Sequence, residues 1–165
     1  MSQKQYASFY IGKNLFGIDV RLIREITRSN EITSVDGAPN FVRGLLNLRG
    51  QIVTVIDVHN RMGLPVIDGA DNDRHYIILK TSDELDAKRE EDKTIEMTSR
   101  DLSSLEVDSI GDMVTVEDNE IESTPANIGE VEGRFISGVV KLEKELLIII
   151  KVYELLRNED ERSQK

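Results

Sequence analysis

Arg49 is the residue whose surroundings point most directly to recognition of another molecule. It lies within Arg43–Val58 (RGLLNLRGQIVTVIDV), between two apolar runs. The dense β-branched residues, Ile52 among them, predict two buried strands, with a tight turn at Gly50-Gln51. Because a guanidinium stays charged in proteins, it requires water or an anionic partner. Two interpretations are open: a surface arginine whose stem covers apolar area, or an arginine held at the rim of a partner-binding groove.

The residue types that carry catalysis are sparse. His59 and His75 have no metal-type spacing, so we expect no zinc site and surface or strand positions for both. The sequence has no cysteine, no G-x-S-x-G elbow, no P-loop and no G-x-G-x-x-G. The polar run Asp68–Asp73 does not place glycine and glutamate at the offsets of a calcium loop. We therefore predict no metal, no cofactor and no enzyme activity, with a carboxylate-based barrel enzyme as the alternative from another class.

The composition limits the classes of partner that the protein is expected to bind. The 165 residues carry a net charge of -10 and include no lysine or arginine cluster, which argues against nucleic acid and anionic membranes. The N-terminus lacks the apolar core of a signal peptide, and Leu146–Ile150 is too short to cross a bilayer. We expect a soluble, cytoplasmic binding or scaffolding module with no direct membrane insertion.

The elements that position Arg49 are short. Apolar patterning and turn signals predict strands at Tyr6–Ile11, Leu15–Ile18, Ile32–Val35, His75–Lys80, Leu105–Val107, Met113–Val116, Phe135–Leu142 and Leu146–Val152. Short helices are predicted from the cap Asp19 to Thr27, with an Arg21–Glu25 ion pair, and at His59–Met62 and Lys151–Asn158. Many short strands with few helices indicate an all-β fold closed into small barrels.

A charged excursion interrupts this pattern. Asp83–Lys93 is almost wholly charged and is predicted to be exposed and unable to bury a face, with at most transient helix. It is expected to continue as a loop to Asp101, where Ile95 and Met97 are candidates for a short edge strand. We therefore predict one domain over 4–157, a charged loop insertion at 83–101 and a frayed tail at 158–165.

Several motifs together resemble the CheW family of chemotaxis coupling proteins. The matching pieces are FYIGKNLFGIDVRLIREI at Phe9–Ile26 and APNFVRGLLNLRGQIVTVIDV at Ala38–Val58. Looser matches are VDSIGDM at Val107–Met113, ISGVVKL at Ile136–Leu142 and the C-terminal LLIIIKVYELL. The resemblance spans nearly the whole chain except the excursion.

The resemblance implies a fold and a function. The implied fold is all-β, with two small five-stranded β-barrels packed side by side around a shared apolar core and a few short helices; the boundary between them is left open. The implied function is a non-enzymatic adaptor that couples the cytoplasmic tip of methyl-accepting chemoreceptors to the regulatory domain of a CheA-type histidine kinase. The alternative is a CheW-like adaptor of a non-flagellar pathway, such as twitching motility.

The resemblance also implies the partner-binding residues. Arg49 of N-L-R-G and Glu25 of R-E-I would flank the receptor-binding groove. The other implied residues are Ile23, Gly44, Asn47, Leu48 and Gly50 around that groove, and Asp108, Ile110 and Met113 in the V-D segment, which the resemblance implies contributes to the same partner surfaces. The excursion departs from the family pattern, and it would either hang inertly in solvent or extend a partner contact.

Overall fold

Ten strands provide most of the regular structure within residues 3–28, 31–65, 74–123 and 127–157, the parts of the chain that the computed structural model describes. They are β1 (Gln3–Ile11), β2 (Asn14–Asp19), β3 (Ile23–Thr27), β4 (Val42–Leu48), β5 (Gln51–Asp57), β6 (His75–Leu79), β7 (Ser103–Val107), β8 (Ser109–Glu117), β9 (Ile136–Lys141) and β10 (Leu146–Ile150). The helices are α1 (Val58–Met62), α2 (Ser82–Glu91) and α3 (Val152–Leu156).

The strands form two five-stranded sheets. The first has the order β8-β1-β2-β10-β9 and the second β3-β6-β7-β5-β4. Each contains one parallel pair, β2 with β10 and β5 with β7, and the other pairs are antiparallel. The predicted mostly-β architecture with two five-stranded units is confirmed. Among the described residues the two edge strands of either sheet do not pair with each other, so each unit is an open sheet rather than a closed barrel.

The shared apolar core lies between the two sheets. Phe9 and Phe16 of the first sheet are fully buried and stack with their ring centroids 5.7 Å apart. Ile77 and Leu105 of the second sheet belong to the same buried cluster. A smaller apolar cluster lines the other face of each sheet. Because both faces are covered, strands such as Leu146–Ile150 are apolar along their whole length instead of alternating.

The turn of the β4–β5 hairpin lies one residue earlier than predicted. Strand β4 ends at Leu48 and β5 begins at Gln51, so the two turn residues are Arg49 and Gly50. Both have positive φ, 49° and 87°, as in the type I′ turn whose twist suits a two-residue hairpin loop. Among the described residues Arg49 is the one non-glycine with a positive φ.

The predicted helix after Asp19 is wrong beyond its first turn. Asp19 does cap a short 3₁₀ turn at Val20–Leu22, where its Oδ1 accepts a hydrogen bond from the Arg21 backbone N at 3.0 Å. The chain then enters β3, which pairs with β6. Isoleucine and valine are weak helix formers, so strand pairing decides the conformation.

The predicted Arg21–Glu25 ion pair is absent for the same reason. Residues four apart face each other on a helix but not on a strand. Arg21 instead contacts Asp19 at 2.6 Å and Asp92 at 2.9 Å.

Most other predicted elements are confirmed, with small changes at their ends. The strand predicted at Ile32–Val35 is reduced to a single bridge between Thr33 and Leu45. The helical turn α1 ends at Gly63, which has a φ of 70° as in a left-handed C-cap. The last hairpin, β9–β10, and the short helix α3 form where they are predicted.

The charged excursion is more ordered than predicted. Its first part is the helix α2, which begins with a capping box between Thr81 and Glu84. The prediction that this run buries no face is wrong, because Leu85 is fully buried in the shared core. No strand forms at 95–97, although Ile95 is buried. The predicted loop at 68–73 and tail at 158–165 lie outside the described residues.

Candidate partner-binding surface

Arg49 and Glu25 form a bidentate ion pair. The Arg49 Nη2 atom lies 2.6 Å from Glu25 Oε1 and 2.7 Å from Oε2, and Nη1 lies 3.1 Å from Oε2. Side-chain exposure is 66% for Arg49 and 29% for Glu25. The guanidinium is therefore satisfied by its neighbour while most of its surface stays open to a partner.

Arg24 extends this ion pair along the same end of the sheet. A break in the β3–β6 register lies between Ile23 and Glu25, and Arg24 falls within it. The Arg24 Nη1 atom donates to Gln51 Oε1 at 3.2 Å, and Nη2 donates to the Glu84 carboxylate. Neighbouring residues of β3 thus contact both the hairpin and α2. We call Arg24, Glu25, Arg49, Gln51 and Glu84 the Arg49 cluster.

The pKa of Glu84 shows that this member of the cluster keeps its negative charge. Burial raises the pKa of Glu84, but hydrogen bonds from the Thr81 backbone and from Arg24 outweigh burial and keep that pKa below its ordinary value. Glu84 therefore stays ionised as both helix cap and partner of Arg24.

The other predicted groove residues support the hairpin more than they face outward. The Asn47 Oδ1 atom accepts a hydrogen bond from the Gly50 backbone N at 2.9 Å, which holds the turn. Leu48 and Ile23 are half-buried and pack against apolar clusters. Gly44 lies against Thr33, whose carbonyl oxygen would be only 2.3 Å from a Cβ at that position. Gly44 is thus required for close backbone approach.

Ile52 is an exposed apolar residue that the sequence analysis assigned to a buried strand. It follows Gln51 directly and its exposed fraction is 60%. The register of the hairpin could have revealed this exposure. Ile52 pairs with exposed Asn47, whereas the next pair, Leu46 and Val53, faces inward. An exposed isoleucine beside a charged cluster is typical of the apolar centre of a binding surface.

The second predicted group begins at the other end of the second sheet and continues into the first sheet, because Asp108 follows β7 whereas Ile110 and Met113 lie on β8. The parallel β5–β7 register pairs Thr54 with Ser103 and Asp57 with Glu106, so Asp108 follows the end of β7 that is remote from Arg49. The length of β5 makes this separation roughly 20 Å. The structure therefore separates Asp108 from the Arg49 cluster.

The three residues of this second group differ in exposure. The Asp108 carboxylate is only 12% exposed, because Oδ2 accepts from the Gly12 backbone N at 2.7 Å and Oδ1 lies 2.8 Å from His59 Nε2. Ile110 packs against the shared core, whereas Met113 is 61% exposed. Met113 is thus the member of this group whose side chain is most open to solvent.

Comparison with known proteins identifies the fold family. The model of the CheW-like domain matches residues 5–160 of this chain. The chain belongs to the CheW-like domain family. Its sequence is 28% identical to the chemotaxis protein CheW of Bacillus subtilis over 155 residues, which cover 94% of this chain and 88% of that protein. It is 24% identical to CheW of Treponema pallidum over 161 residues, covering 96% and 85%.

A solved structure agrees with the sequence relatives. The scaffolding protein TtCheW from Thermoanaerobacter tengcongensis superimposes with a TM-score of 0.76 and 25% identity, covering 96% of this chain and 90% of that one. The likeness of fold therefore extends over nearly the whole chain.

Of the two histidines in this CheW-like domain, one differs from its predicted surface or strand position. His59 is not a surface residue, because it is 1% exposed on α1 and its Nδ1 lies 3.0 Å from the Pro65 carbonyl oxygen. His75 begins β6, as predicted for a strand histidine. Within the four described ranges no group of three or more His, Cys, Asp or Glu is arranged to hold a metal ion. Nor does any helix there have the length and apolar character needed to span a membrane.

A buried ion pair inside the second sheet was missed by the sequence analysis. Glu106 is fully buried, and its Oε1 accepts from Arg74 Nη1 at 2.6 Å while Oε2 accepts from the Tyr76 hydroxyl at 3.0 Å. Burial and the neighbouring carboxylate raise the pKa of Tyr76 to about 12. The sequence pattern of β7 does not reveal this ion pair. All five residues of the strand are buried, so the polar residues cannot be assigned to an exposed face by alternation. These contacts satisfy the buried Glu106 carboxylate inside the sheet, and the group is not part of the Arg49 cluster.

Proposed function

We propose that this CheW-like domain is a non-enzymatic adaptor that couples methyl-accepting chemoreceptors to a CheA-type histidine kinase. The observation that carries the proposal is the exposed Arg49–Glu25 pair, formed by the two residues that the family resemblance assigns to receptor binding. The names of its relatives, chemotaxis proteins and a scaffolding protein, support the same pathway. The proposal places the protein in the cytoplasm, where receptor tips and the kinase lie.

The receptor would bind at the Arg49 cluster. Receptor tips are helical hairpins, and a helix of this kind presents an apolar ridge with charged flanks. Ile52 would contact that ridge, and Arg49 would donate to an acceptor on one flank, since 66% of its side chain is exposed. A central apolar contact with charged groups at its rim is the usual arrangement of a protein interface.

The kinase regulatory domain would bind elsewhere. Met113 on the edge strand β8 offers a second exposed apolar residue, in the other sheet. Because Met113 lies in the first sheet and Arg49 in the second, the two partners would contact different sheets and could occupy the domain at once. Simultaneous binding is what an adaptor requires.

Co-purification tests the proposal directly. Wild-type protein, Arg49→Glu and Met113→Lys would each be mixed with a soluble receptor-tip fragment and, separately, with a CheA regulatory domain. We expect wild type to retain both partners, Arg49→Glu to lose the receptor alone and Met113→Lys to lose the kinase alone. Wild-type protein that retains neither partner would contradict the adaptor function, and an Arg49→Glu variant that retains both would contradict the receptor site.

A further inference from the structure

Arg24 and Glu25 are consecutive residues of β3, and both contact the β4–β5 hairpin. Glu25 pairs with the Arg49 guanidinium, and Arg24 Nη1 donates to Gln51 Oε1 at 3.2 Å. In a regular strand, neighbouring side chains point to opposite faces of the sheet, so two consecutive residues would not reach the same turn. The break in the β3–β6 register between Ile23 and Glu25 removes this restriction, because an irregularity of this kind redirects a side chain.

The turn that carries Arg49 is exposed and is held by contacts on each side of it. Arg49 has a φ of 49°, in the left-handed region that residues other than glycine rarely adopt. Within the hairpin, Asn47 Oδ1 accepts from the Gly50 backbone N and closes the turn. Gln51 is the first residue after the turn, and its side chain accepts from Arg24. Arg24 therefore supports the turn from outside the hairpin.

Helix α2 fixes the position of the Arg24 guanidinium. The Arg24 Nη2 atom donates to the carboxylate of Glu84, which lies in the first turn of α2. The next residue, Leu85, is fully buried in the shared core, so this turn of the helix has a defined place in the fold. A chain of contacts thus runs from the core through the start of α2 to Arg24 and from there to Gln51.

We propose that Arg24 and Glu84 are positioning residues for receptor binding, which hold the Arg49 turn in its binding conformation without contacting the receptor themselves. This inference rests on the proposed function. It is supported by exposure, since 28% of the Arg24 side chain and 37% of the Glu84 side chain are open to solvent, against 66% for Arg49. A turn that is fixed before the receptor arrives loses less conformational entropy on binding. The excursion then acts on the receptor site through Arg24.

Variants that remove the bridge can be matched to one that only weakens the start of the helix. Arg24→Met keeps the apolar stem and removes both donors. Glu84→Ala removes the acceptor on α2, but it also removes one half of the capping box. Thr81→Ala is its control, because it removes the capping hydroxyl and leaves the Glu84 carboxylate in place for Arg24. Circular dichroism and urea denaturation check that each variant is folded.

Receptor affinity and the mobility of the turn are measured together. Dissociation constants are determined for a receptor-tip fragment and for a CheA regulatory domain, and the proton–nitrogen heteronuclear NOE of the Arg49 and Gly50 amides reports fast motion in the unbound protein. We expect Arg24→Met and Glu84→Ala each to weaken receptor binding about fivefold and to lower the NOE, while Thr81→Ala stays within about twofold. The double variant of Arg24→Met with Glu84→Ala should bind no more weakly than either single variant, and kinase binding should not change.

Other outcomes would contradict the positioning role. If Arg24→Met weakens binding but Glu84→Ala does not, Arg24 contacts the receptor directly. Equal losses in Glu84→Ala and Thr81→Ala would assign the effect to the helix cap, and weaker binding with an unchanged NOE would show that the turn was not being held. If Arg49→Glu loses the receptor while Arg24→Met and Glu84→Ala bind it as wild type does, the adaptor function stands and this inference is wrong. If wild-type protein does not bind the receptor fragment, the proposed function fails and the inference fails with it.

Discussion

Glu25 and Arg49 meet in a bidentate ion pair although they come from opposite edges of one sheet. Glu25 lies on edge strand β3, Arg49 follows edge strand β4, and their atoms are 2.6 and 2.7 Å apart. Backbone pairing does not join these edges among the described residues, so side chains bring this end of the sheet together. The two residues named by the family motifs are therefore one structural unit.

Reversing Arg49 should abolish receptor binding and leave the fold intact. An exposed pair of this kind contributes about 1 kcal/mol or less to stability, so the denaturation midpoint of Arg49→Glu should change little. The double variant Glu25→Arg with Arg49→Glu restores an opposite-charge pair with reversed polarity. If the arginine itself contacts the receptor, the double variant should still fail to bind. Recovery of receptor binding in a pull-down would show instead that only the mutual pair matters.

The sequence motifs proposed Glu25 and Arg49 as partner-binding candidates, but local patterns did not predict how the two residues meet. The motifs named Glu25 and Arg49, but spacing alone assigned Glu25 to a helix beside Arg21. The error has a physical cause, because pairing of β3 with β6 outweighs a weak helix preference. Which edge of a sheet meets which is a long-range property that no local pattern encodes.

The charged excursion is a second segment whose structure was not predicted from the sequence. Its charged composition predicted a solvated loop, whereas a single apolar residue, Leu85, anchors the helix. The local signal was present, since Thr81 and Glu84 have the spacing of a capping box. Composition averages over such signals, and it cannot reveal that one buried side chain and one arginine from β3 fix the helix in place.

Ile52→Asp should weaken receptor binding without destabilising the domain. Because 60% of Ile52 is already exposed, the substitution removes little buried apolar area. It does place a desolvated charge against the apolar ridge of a bound helix, so we expect a loss of about tenfold in affinity. Titration calorimetry with a receptor-tip fragment measures this. Leu146→Asp is the control, since Leu146 is 41% exposed in the other sheet. An equal loss of receptor affinity in that variant would contradict the assignment of Ile52 to the receptor-binding surface.

Asp108→Ala should destabilise the domain rather than act only on binding. Its carboxylate accepts from the Gly12 backbone N and contacts His59, which is buried, so truncation leaves both groups without this acceptor. We expect a loss on the order of 3 kcal/mol in the free energy of unfolding, measured by urea denaturation. Asp108→Asn keeps one carbonyl acceptor and should lose less. A fully stable Asp108→Ala variant that has lost kinase binding would indicate a direct partner contact instead.

Gly44→Ala should destabilise the hairpin that carries Arg49. The added Cβ would lie 2.3 Å from the Thr33 carbonyl oxygen, and backbone must move to relieve that contact. We expect a cost of roughly 2 kcal/mol or more in the free energy of unfolding. Gly37→Ala is the matched control, because Gly37 also has a positive φ, 80°, but nothing lies within 4 Å of its Cβ position. Equal losses in the two variants would mean that backbone conformation, and not the approach of Thr33, sets the requirement.

Glu96 links the excursion to the C-terminal helix and should make stability depend on pH. Its Oε1 accepts a hydrogen bond from the Tyr153 backbone N at 2.8 Å, 57 residues away, in the first turn of α3. Burial raises the pKa of Glu96, and the backbone donors of Tyr153 and Val152 only partly oppose this. The native state therefore binds a proton more tightly than the unfolded state does.

The sign of the effect follows from this difference. The stability contributed by protonated Glu96 is complete below the ordinary pKa of 4.5 and is lost as pH rises from there through the raised native pKa. Glu96→Gln keeps an oxygen acceptor for α3 and cannot ionise, so it should match wild type at low pH and become the more stable protein above that range. Glu96→Ala removes the acceptor and also cannot ionise, so it should be about 1 kcal/mol less stable than Glu96→Gln at every pH. Urea denaturation across pH 4 to 8 measures all three, and a constant difference between wild type and Glu96→Gln would show that Glu96 does not titrate in this window.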